Sequence, residues 1–242
     1  MTKVINSNVL KILAVLLMVI DHVGGAIFTG NQVLRMIGRL SFPIFAFLIA
    51  EGAANTSNLS RYKKRLFIFA ILSEIPYDLV FYNKVFFLYA QNIMFTLLLG
   101  VLCINEMEKL KNNYEVKVTV VSTLKILFYC VISVIGFADY NIYGVLTIMM
   151  FYIFRNIKFG WIGQVLGLFL LYVVYYHTNN VLALNVLGLD LIFPVQGLCI
   201  LALPLIWLYN GKRGNKNKIL QYGFYAFYPV HLLVLWLIRC TM

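Results

Sequence analysis

Long apolar runs follow one another along almost the whole chain, separated by short polar segments. A helix that spans a bilayer needs about 20 consecutive, mostly apolar residues. The pattern predicts nine spans, at about 9–29, 35–54, 65–82, 91–105, 118–136, 141–155, 160–177, 186–209 and 220–239. We therefore predict an all-α integral membrane protein, a polytopic bundle of about nine transmembrane helices. The bundle fills residues 1–242 as a single domain.

Composition supports the same class of protein. Hydrophobic residues make up 62% of the chain and charged residues 12%, whereas about a quarter of the residues of a soluble domain are charged. The first apolar run is too long for a cleavable signal peptide. The four cysteines lie in separate apolar runs without CxxC or metal-ligand spacing, so they are expected to be small packing residues.

The basic residues predict an orientation. Alternating the nine spans puts most of the 20 Lys and Arg residues on one side and leaves only Arg35, Arg39, Lys84 and Arg239 on the other. The positive-inside rule then places the N-terminus in the cytoplasm and the C-terminus outside, in a multi-pass protein of the cell membrane. The net charge of +11 is explained by this topology, and the basic residues can also attract anionic membrane lipids. No nucleic-acid partner is therefore predicted.

Most of the acidic residues lie in or beside the apolar runs. A charged side chain at the centre of a bilayer costs roughly 2.5–3.5 kcal/mol on insertion scales, so such residues usually face a protein-lined or water-filled interior. The residues in question are Asp21, Glu51, Glu74, Asp78, Asp139 and Asp190. Their positions indicate a polar interior that can support chemistry.

Asp21 and His22 are the strongest chemical candidates. A histidine titrates near neutrality and can act as a general base, and a neighbouring carboxylate can raise its basicity and fix its tautomer. Adjacent helical residues point about 100° apart, so Asp21 either contacts His22 or pairs with Arg35 or Arg39 across a helix interface. An ion pair of Arg39 with Asp21 or Asp78 that only fixes helix packing is equally compatible with the sequence.

Further polar residues are weaker candidates. Glu74 and Asp78 lie one helical turn apart around Pro76, and His231 follows Pro229. Glu74 and His231 are candidate catalytic residues in addition to Asp21 and His22. Candidates for substrate binding or for structural polar contacts are Arg35, Arg39, Asp78, Asn92, Asp139 and Tyr228. The three histidines lie in separate runs without a motif such as HExxH, so no metal site is predicted.

Several segments together resemble one known family, the TraX family. The similarity is carried in order by residues 10–24, 34–47, 51–52, 73–78, 92–97, 138–144, 208–214 and 227–232, including the sequences Ile-Asp-His-Val-Gly at 20–24 and Tyr-Pro-Val-His-Leu at 228–232. Residues 106–135 and 160–190 contribute little to it. The family is in turn distantly similar to membrane acyltransferases of the acyltransferase-3 and heparan-glucosaminide acetyltransferase type.

The resemblance implies an activity. TraX-like proteins are associated with N-terminal acetylation of conjugative pilin, and the distant acyltransferases use cytoplasmic acyl-CoA and a histidine in the membrane. The resemblance therefore implies acetyl-CoA as donor, His22 and His231 as candidate bases or acyl carriers, and a peptide N-terminus, glycan or lipid as acceptor. The predicted cytoplasmic rim offers candidate binding residues for a polyanionic CoA, namely the cations Arg61, Lys64, Arg65, Lys212 and Arg213 and the neutral amide of Asn210.

Other interpretations remain open at the level of sequence. The basic rim residues are also typical of an anchor at the membrane interface. Membrane carboxylates and histidines also make proton relays, which is the pattern of a secondary transporter or flippase, although no internal repeat is detected. A non-catalytic assembly factor is the third possibility.

Overall fold

The structure, a computed structural model, describes residues 3–176, 180–186, 189–215 and 217–242. The described residues are mainly helical and include one short hairpin. The α-helices are α1 (Ser7–Ala26), α2 (Gln32–Gly38), α3 (Ser41–Asn55), α4 (Leu59–Tyr82), α5 (Ile93–Asn112), α6 (Val116–Ile135), α7 (Asn141–Phe154), α8 (Gly160–Phe169), α9 (Leu203–Trp207) and α10 (Lys218–Thr241). A π-helical turn (Leu170–Tyr175) continues α8, and a 3-10 helix (Val195–Ala202) precedes α9.

Four helical stretches of the described residues are long and apolar enough to cross a membrane. They are Ser7–Ala26, Gln32–Asn55, Val116–Ile135 and Ile219–Thr241. Three shorter apolar helices cover Asn141–Phe154, Gly160–Tyr175 and Val195–Trp207. The prediction of a mainly helical protein with several helices able to span a membrane is confirmed by their length and composition. The number of nine spans stays a prediction, because α4 and α5 have the length of a span but carry several charges.

The predicted eighth span, 186–209, is wrong as a continuous helix. Strand β1 (Val181–Val186) pairs antiparallel with β2 (Leu189–Pro194), in a register that puts Val181 opposite Pro194 and Val186 opposite Leu189. Only the 3-10 segment and α9 that follow are helical. The sequence explains the difference, because Asn185, Gly188, Asp190 and Pro194 all disfavour a helix interior.

Two other predicted spans differ in detail. The second, 35–54, is interrupted between α2 and α3 at Arg39 and Leu40. The seventh, 160–177, extends to Tyr175 as helix, and His177 lies outside the described residues. The remaining spans correspond to helices whose ends lie within a few residues of prediction, except that α4 begins earlier and α5 ends later than expected.

Asparagine side chains start five of the helices. Asn6, Asn31, Asn58, Asn92 and Asn217 precede α1, α2, α4, α5 and α10, and each side chain accepts a hydrogen bond from a backbone N–H of the first turn. These N–H groups have no partner within the helix, so a capping oxygen stabilises each start. At its other end α4 stops at Asn83, which adopts a left-handed φ of 54°.

The chain divides into two compact units. The first comprises residues 1–45 and 154–216, and in it α1 packs against α2 while the 3-10 helix packs against α8. The second comprises residues 46–153 and 217–242, and in it α4 packs against both α10 and α5 while α5 packs against α6. Apolar residues that include Leu99, Cys103, Cys130 and Val145 form part of the core of the second unit.

Candidate functional site

Asp21 is the centre of an ion-pair network in the first unit. Its Oδ1 accepts a hydrogen bond from Arg39 Nη2 at 2.6 Å, and its Oδ2 accepts one from Arg35 Nη1 at 2.8 Å. The side chains of Asp21 and Arg39 are 15% and 13% exposed, and that of Arg35 is 30% exposed. Of the two arrangements that the sequence leaves open, the structure therefore shows the pairing of Asp21 with both arginines.

Two glycines bring α1 and α2 close enough for this network. A Cβ added at Gly38 would lie 2.2 Å from Asp21 Cβ, and one added at Gly24 would lie 2.7 Å from Leu34 Cβ. Both distances are far below any van der Waals contact. The missing side chains therefore let the two helices approach until Arg35 of α2 and Arg39, just after α2, reach the carboxylate of α1.

The guanidinium of Arg39 also binds Gln196. Arg39 Nη1 donates to Gln196 Oε1 at 2.8 Å, and Arg39 Nε donates to the backbone carbonyl of Arg35 at 3.2 Å. Gln196 lies at the start of the 3-10 helix and is 3% exposed. Gln196 was not among the predicted site residues, although a polar residue shortly after Pro194 in an apolar run is the sequence signal for it.

His22 lies beside this network on α1. Its side chain is partly buried, and it follows Asp21 directly. Because each oxygen of the Asp21 carboxylate already accepts from an arginine, the network fixes the turn of α1 that carries His22. The structure thus keeps His22, a predicted catalytic residue, in a polar part of a helix that can cross a membrane.

A second polar cluster lies in the second unit around Glu74 of α4. Asn92, the cap of α5, donates from Nδ2 to Glu74 Oε2 and to the Ala70 carbonyl, the latter at 2.8 Å. Asp78, which is 1% exposed, accepts from the Phe87 N–H at 2.8 Å. One oxygen of each carboxylate, Glu74 Oε1 and Asp78 Oδ1, is buried and has no hydrogen-bond partner among the described residues.

The other predicted residues of the second unit lie on α10, which packs against α4, and in the loop between α6 and α7. His231 is 7% exposed, its Nδ1 lies 2.9 Å from the Phe227 carbonyl, and its ring stacks on Phe227 with centroids 5.1 Å apart. Tyr228 is 4% exposed and hydrogen-bonds the Ile93 backbone. Asp139 accepts from the Tyr140 N–H at 3.0 Å, and its own N–H donates to the Gln91 carbonyl.

Three of the predicted basic residues occupy the first turns of α4. Arg61 and Lys64 are exposed, whereas Arg65 is half-buried between the rings of Tyr62 and Tyr225, with its Cζ 5.7 and 5.9 Å from the ring centroids. Cations near a helix N-terminus are repelled by the positive end of the helix dipole, and the first turn of α4 has no acidic residue to offset this repulsion. An anionic ligand near Arg61, Lys64 and Arg65 would therefore lower the electrostatic energy of α4.

A loop that is hydrogen-bonded to the start of α1 contains Asn210, Lys212 and Arg213. Ser7 N–H donates to the Lys212 carbonyl at 2.9 Å, and Asn210 N–H donates to the Ile5 carbonyl at 2.8 Å. Gly211 and Gly214 have φ values of +75° and +80°, which few other residues adopt. The side chains of Lys212 and Arg213 are exposed, so the loop presents two cations from a fixed backbone.

A third polar cluster, at the end of α5, was not predicted. Glu106 is 3% exposed and accepts hydrogen bonds from Lys109 Nζ at 2.7 Å, Asn105 Nδ2 at 3.0 Å and Ser122 Oγ at 3.1 Å. Burial alone would raise the pKa of Glu106, but these hydrogen bonds outweigh it and lower the pKa. The cluster joins α5 to α6 beyond the predicted span 91–105.

Comparison with known proteins assigns the chain to a family. The chain is 28% identical over 244 residues to the Probable fimbrial assembly protein FimC, serogroup H1, of Dichelobacter nodosus. This alignment covers 93% of this chain and 92% of that protein. It is 31% identical over 93 residues to an uncharacterized protein of Rickettsia prowazekii (strain Madrid E), covering 38% of this chain and 34% of that protein. No solved structure matches. The family model of the TraX protein matches residues 6–239, and the chain therefore belongs to the TraX family.

Proposed function

We propose that this protein is a membrane-embedded acyltransferase that moves an acyl group, in the first instance acetyl, from cytoplasmic acyl-CoA to an amine or hydroxyl acceptor. His22 is the proposed general base. Four helical stretches long and apolar enough to cross a membrane support a membrane protein, and membership in the TraX family supports a transfer reaction.

The observation that carries the proposal is the distribution of polar groups along α1. The cation-bearing loop that contains Lys212 and Arg213 is hydrogen-bonded at the N-terminal end of α1, and His22 with the Asp21 network lies near its other end. At a rise of 1.5 Å per residue, His22 lies about 22 Å along the helix from Ser7. One helix of the first unit therefore carries a fixed cationic loop at one end and a polar network beside His22 near the other.

This arrangement suits an elongated donor that is anionic at one end only. The phosphates of acyl-CoA would bind Lys212 and Arg213. They would also reach the backbone at Gly211, which has no side chain and has open space, with no atom within 4 Å of the position of a Cβ. The uncharged pantetheine arm would follow α1 into the membrane and bring the thioester toward His22. Arg61, Lys64 and Arg65, in the second unit, form a separate basic surface that is a second candidate for binding anionic groups.

The proposed reaction needs one proton carrier. His22 takes a proton from the acceptor amine or hydroxyl while the acceptor atom bonds to the acyl carbon, which gives a tetrahedral intermediate with a negative oxygen. The intermediate then collapses, the carbon–sulfur bond breaks, and the imidazolium of His22 returns the proton to the CoA sulfur. The products are the acylated acceptor and free CoA. The ion pairs of Asp21 with Arg35 and Arg39 position the helical turn of the base.

The relatives suggest where to look for the acceptor. The Dichelobacter relative carries the name of a fimbrial assembly protein, so a pilin or fimbrial subunit is the first acceptor to test. In that case the acylated atom would be a peptide nitrogen that arrives from outside the membrane. The same name also favours a second candidate function, a non-catalytic assembly factor.

The test uses the purified protein in lipid nanodiscs with isotope-labelled acetyl-CoA, together with intact-mass analysis of lipids and surface proteins from cells with and without the gene. The account predicts an acetyl group on an acceptor only when the protein is present. Lys212→Ala combined with Arg213→Ala should weaken acetyl-CoA binding by roughly a hundredfold or more, because each charge-assisted contact contributes about 1.5–3 kcal/mol and about 1.4 kcal/mol is a factor of ten. Lys158→Ala, which removes a cation elsewhere in the first unit, is the matched control.

The alternatives give different results. Fimbriae that fail to assemble while all acylation is unchanged would support the assembly factor. Altered uptake of a solute with unchanged acylation would support a transporter. Wild-type protein that neither binds acetyl-CoA nor acetylates any acceptor would overturn the proposal.

A further inference from the structure

The amide of Gln196 presents an unused hydrogen-bond donor inside the first unit. The residue is the second of the 3-10 helix that follows β2, and its side chain is 3% exposed. Its Nε2 atom is buried and has no hydrogen-bond partner among the described residues. A buried donor without a partner is a cost to folding, and proteins usually satisfy such groups.

The contact with Arg39 fixes which end of the amide is unused. A guanidinium carries only donors, so the Gln196 atom that faces Arg39 Nη1 at 2.8 Å must be the oxygen. The two N–H bonds of Nε2 therefore point away from Arg39. Since Arg39 is itself held by Asp21 and by the Arg35 carbonyl, the direction of the Gln196 amide is set by the same network that fixes the turn of His22.

A purely structural role would use only the oxygen of Gln196. The bond to Arg39 needs an acceptor, and a carboxylate of the same shape would supply a stronger one. The amide adds to this contact a neutral, fixed donor in a water-poor interior. This is the kind of group that stabilises negative charge as it develops on a carbonyl oxygen during acyl transfer.

We propose that Gln196 Nε2 donates a hydrogen bond to the carbonyl oxygen of the acyl thioester and stabilises the oxyanion of the tetrahedral intermediate. This inference rests on the proposed acyltransferase function and adds a catalytic residue to it. As the acceptor atom bonds to the acyl carbon, the carbonyl π electrons move to the oxygen, and Nε2 holds that oxygen. When the carbon–sulfur bond breaks, the electrons return, the carbonyl re-forms and CoA leaves as the thiol after it receives the proton from His22.

Two substitutions separate the donor role from the structural one. Gln196→Glu keeps the oxygen that Arg39 binds and removes the donor. Gln196→Met keeps the approximate shape and removes both. The inference predicts that kcat for acetyl transfer falls roughly 10²–10³-fold in both variants, while KM for acetyl-CoA changes little. A normal kcat for Gln196→Glu together with a low kcat for Gln196→Met would show that only the contact with Arg39 matters. That result would overturn the inference.

Infrared spectroscopy of bound acetyl-CoA with an isotope-labelled carbonyl gives a second readout that needs no turnover. In the wild-type protein the carbonyl stretch should move to lower frequency than in free acetyl-CoA, and Gln196→Glu should remove the shift. Bound acetyl-CoA with an unshifted carbonyl in the wild type would overturn the role of Gln196 while leaving the acyltransferase proposal intact. A wild-type protein that does not bind acetyl-CoA would overturn both.

Discussion

Gly38 of α2 lies directly against Asp21 of α1, so that a Cβ added at position 38 would be 2.2 Å from Asp21 Cβ and 2.4 Å from its Oδ1. The two helices can approach at this level only because residue 38 has no side chain. Close packing and ion pairing are therefore coupled here, since the same approach lets Arg35 and Arg39 reach the carboxylate.

Gly38→Ala should therefore destabilise the first unit. Overpacking costs about 1–3 kcal/mol, and displacement of Asp21 would weaken its bonds to Arg35 and Arg39 as well. Thermal unfolding in nanodiscs should show a lower Tm for this variant. Gly30→Ala is the matched control, because nothing lies within 4 Å of an added Cβ at Gly30. Equal Tm values for the two variants would contradict the close approach.

Asn92→Ala should cost more stability than loss of an ordinary helix cap. Asn92 caps α5 by accepting from the Met94 N–H, and it also donates to Glu74 and to the Ala70 carbonyl. Asn58 caps α4 through a single bond from the Arg61 N–H and is exposed. We expect Asn58→Ala to lower the free energy of unfolding by about 1 kcal/mol and Asn92→Ala to lower it by a further 1–3 kcal/mol or so, as measured by chemical unfolding. A cost for Asn92→Ala no greater than for Asn58→Ala would argue against its bond to Glu74.

Glu106 should make stability depend on pH in the acid range. Its pKa is lower in the folded protein than its ordinary value of 4.5, because the hydrogen bonds from Lys109, Asn105 and Ser122 outweigh burial. Ionised Glu106 therefore stabilises the folded state above the ordinary value, and this stabilisation is lost as the pH falls through the folded-state pKa. Glu106→Gln should unfold more readily at neutral pH and lose less stability between neutral and acid pH. Parallel pH profiles for the two proteins would contradict this role.

Much of this arrangement follows from the sequence. The apolar runs predict the helices because each must be long enough for a bilayer, and the pairing of Asp21 with Arg35 or Arg39 is one of the arrangements that the sequence allows. The hairpin after Val181 was missed because an apolar run of this length reads as a helix despite its Gly and Pro. Gln196 and Glu106 were missed because their roles depend on partners distant in sequence, Arg39 and Ser122.

The predicted orientation can be tested with a cysteine that the chain already has. Cys240 is exposed, whereas Cys103, Cys130 and Cys199 are buried. A membrane-impermeant maleimide added to intact cells should label the wild type at Cys240 and spare Cys240→Ser. Adding Lys84→Cys to Cys240→Ser should restore labelling, and adding Lys212→Cys should not. The reverse pattern would place the N-terminus outside.

The central claim concerns His22, and transfer by His22→Ala tests it most directly. A positioned general base contributes roughly 10²–10⁴-fold to a rate, so the variant should lose most or all measurable acetyl transfer. Acetyl-CoA should still bind, because the proposed phosphate site lies at the other end of α1. Leu16→Ala, on the same helix and 57% exposed, should transfer normally, and His231→Ala should be impaired to a smaller extent.

The decisive measurement is the ratio of single-turnover acetyl-transfer rates for His22→Ala and Leu16→Ala, each in nanodiscs saturated with acetyl-CoA. The account predicts that His22→Ala transfers at least a hundredfold more slowly while both variants bind acetyl-CoA equally. A near-normal rate for His22→Ala would contradict the proposed mechanism and would make Glu74 the next residue to test as the base.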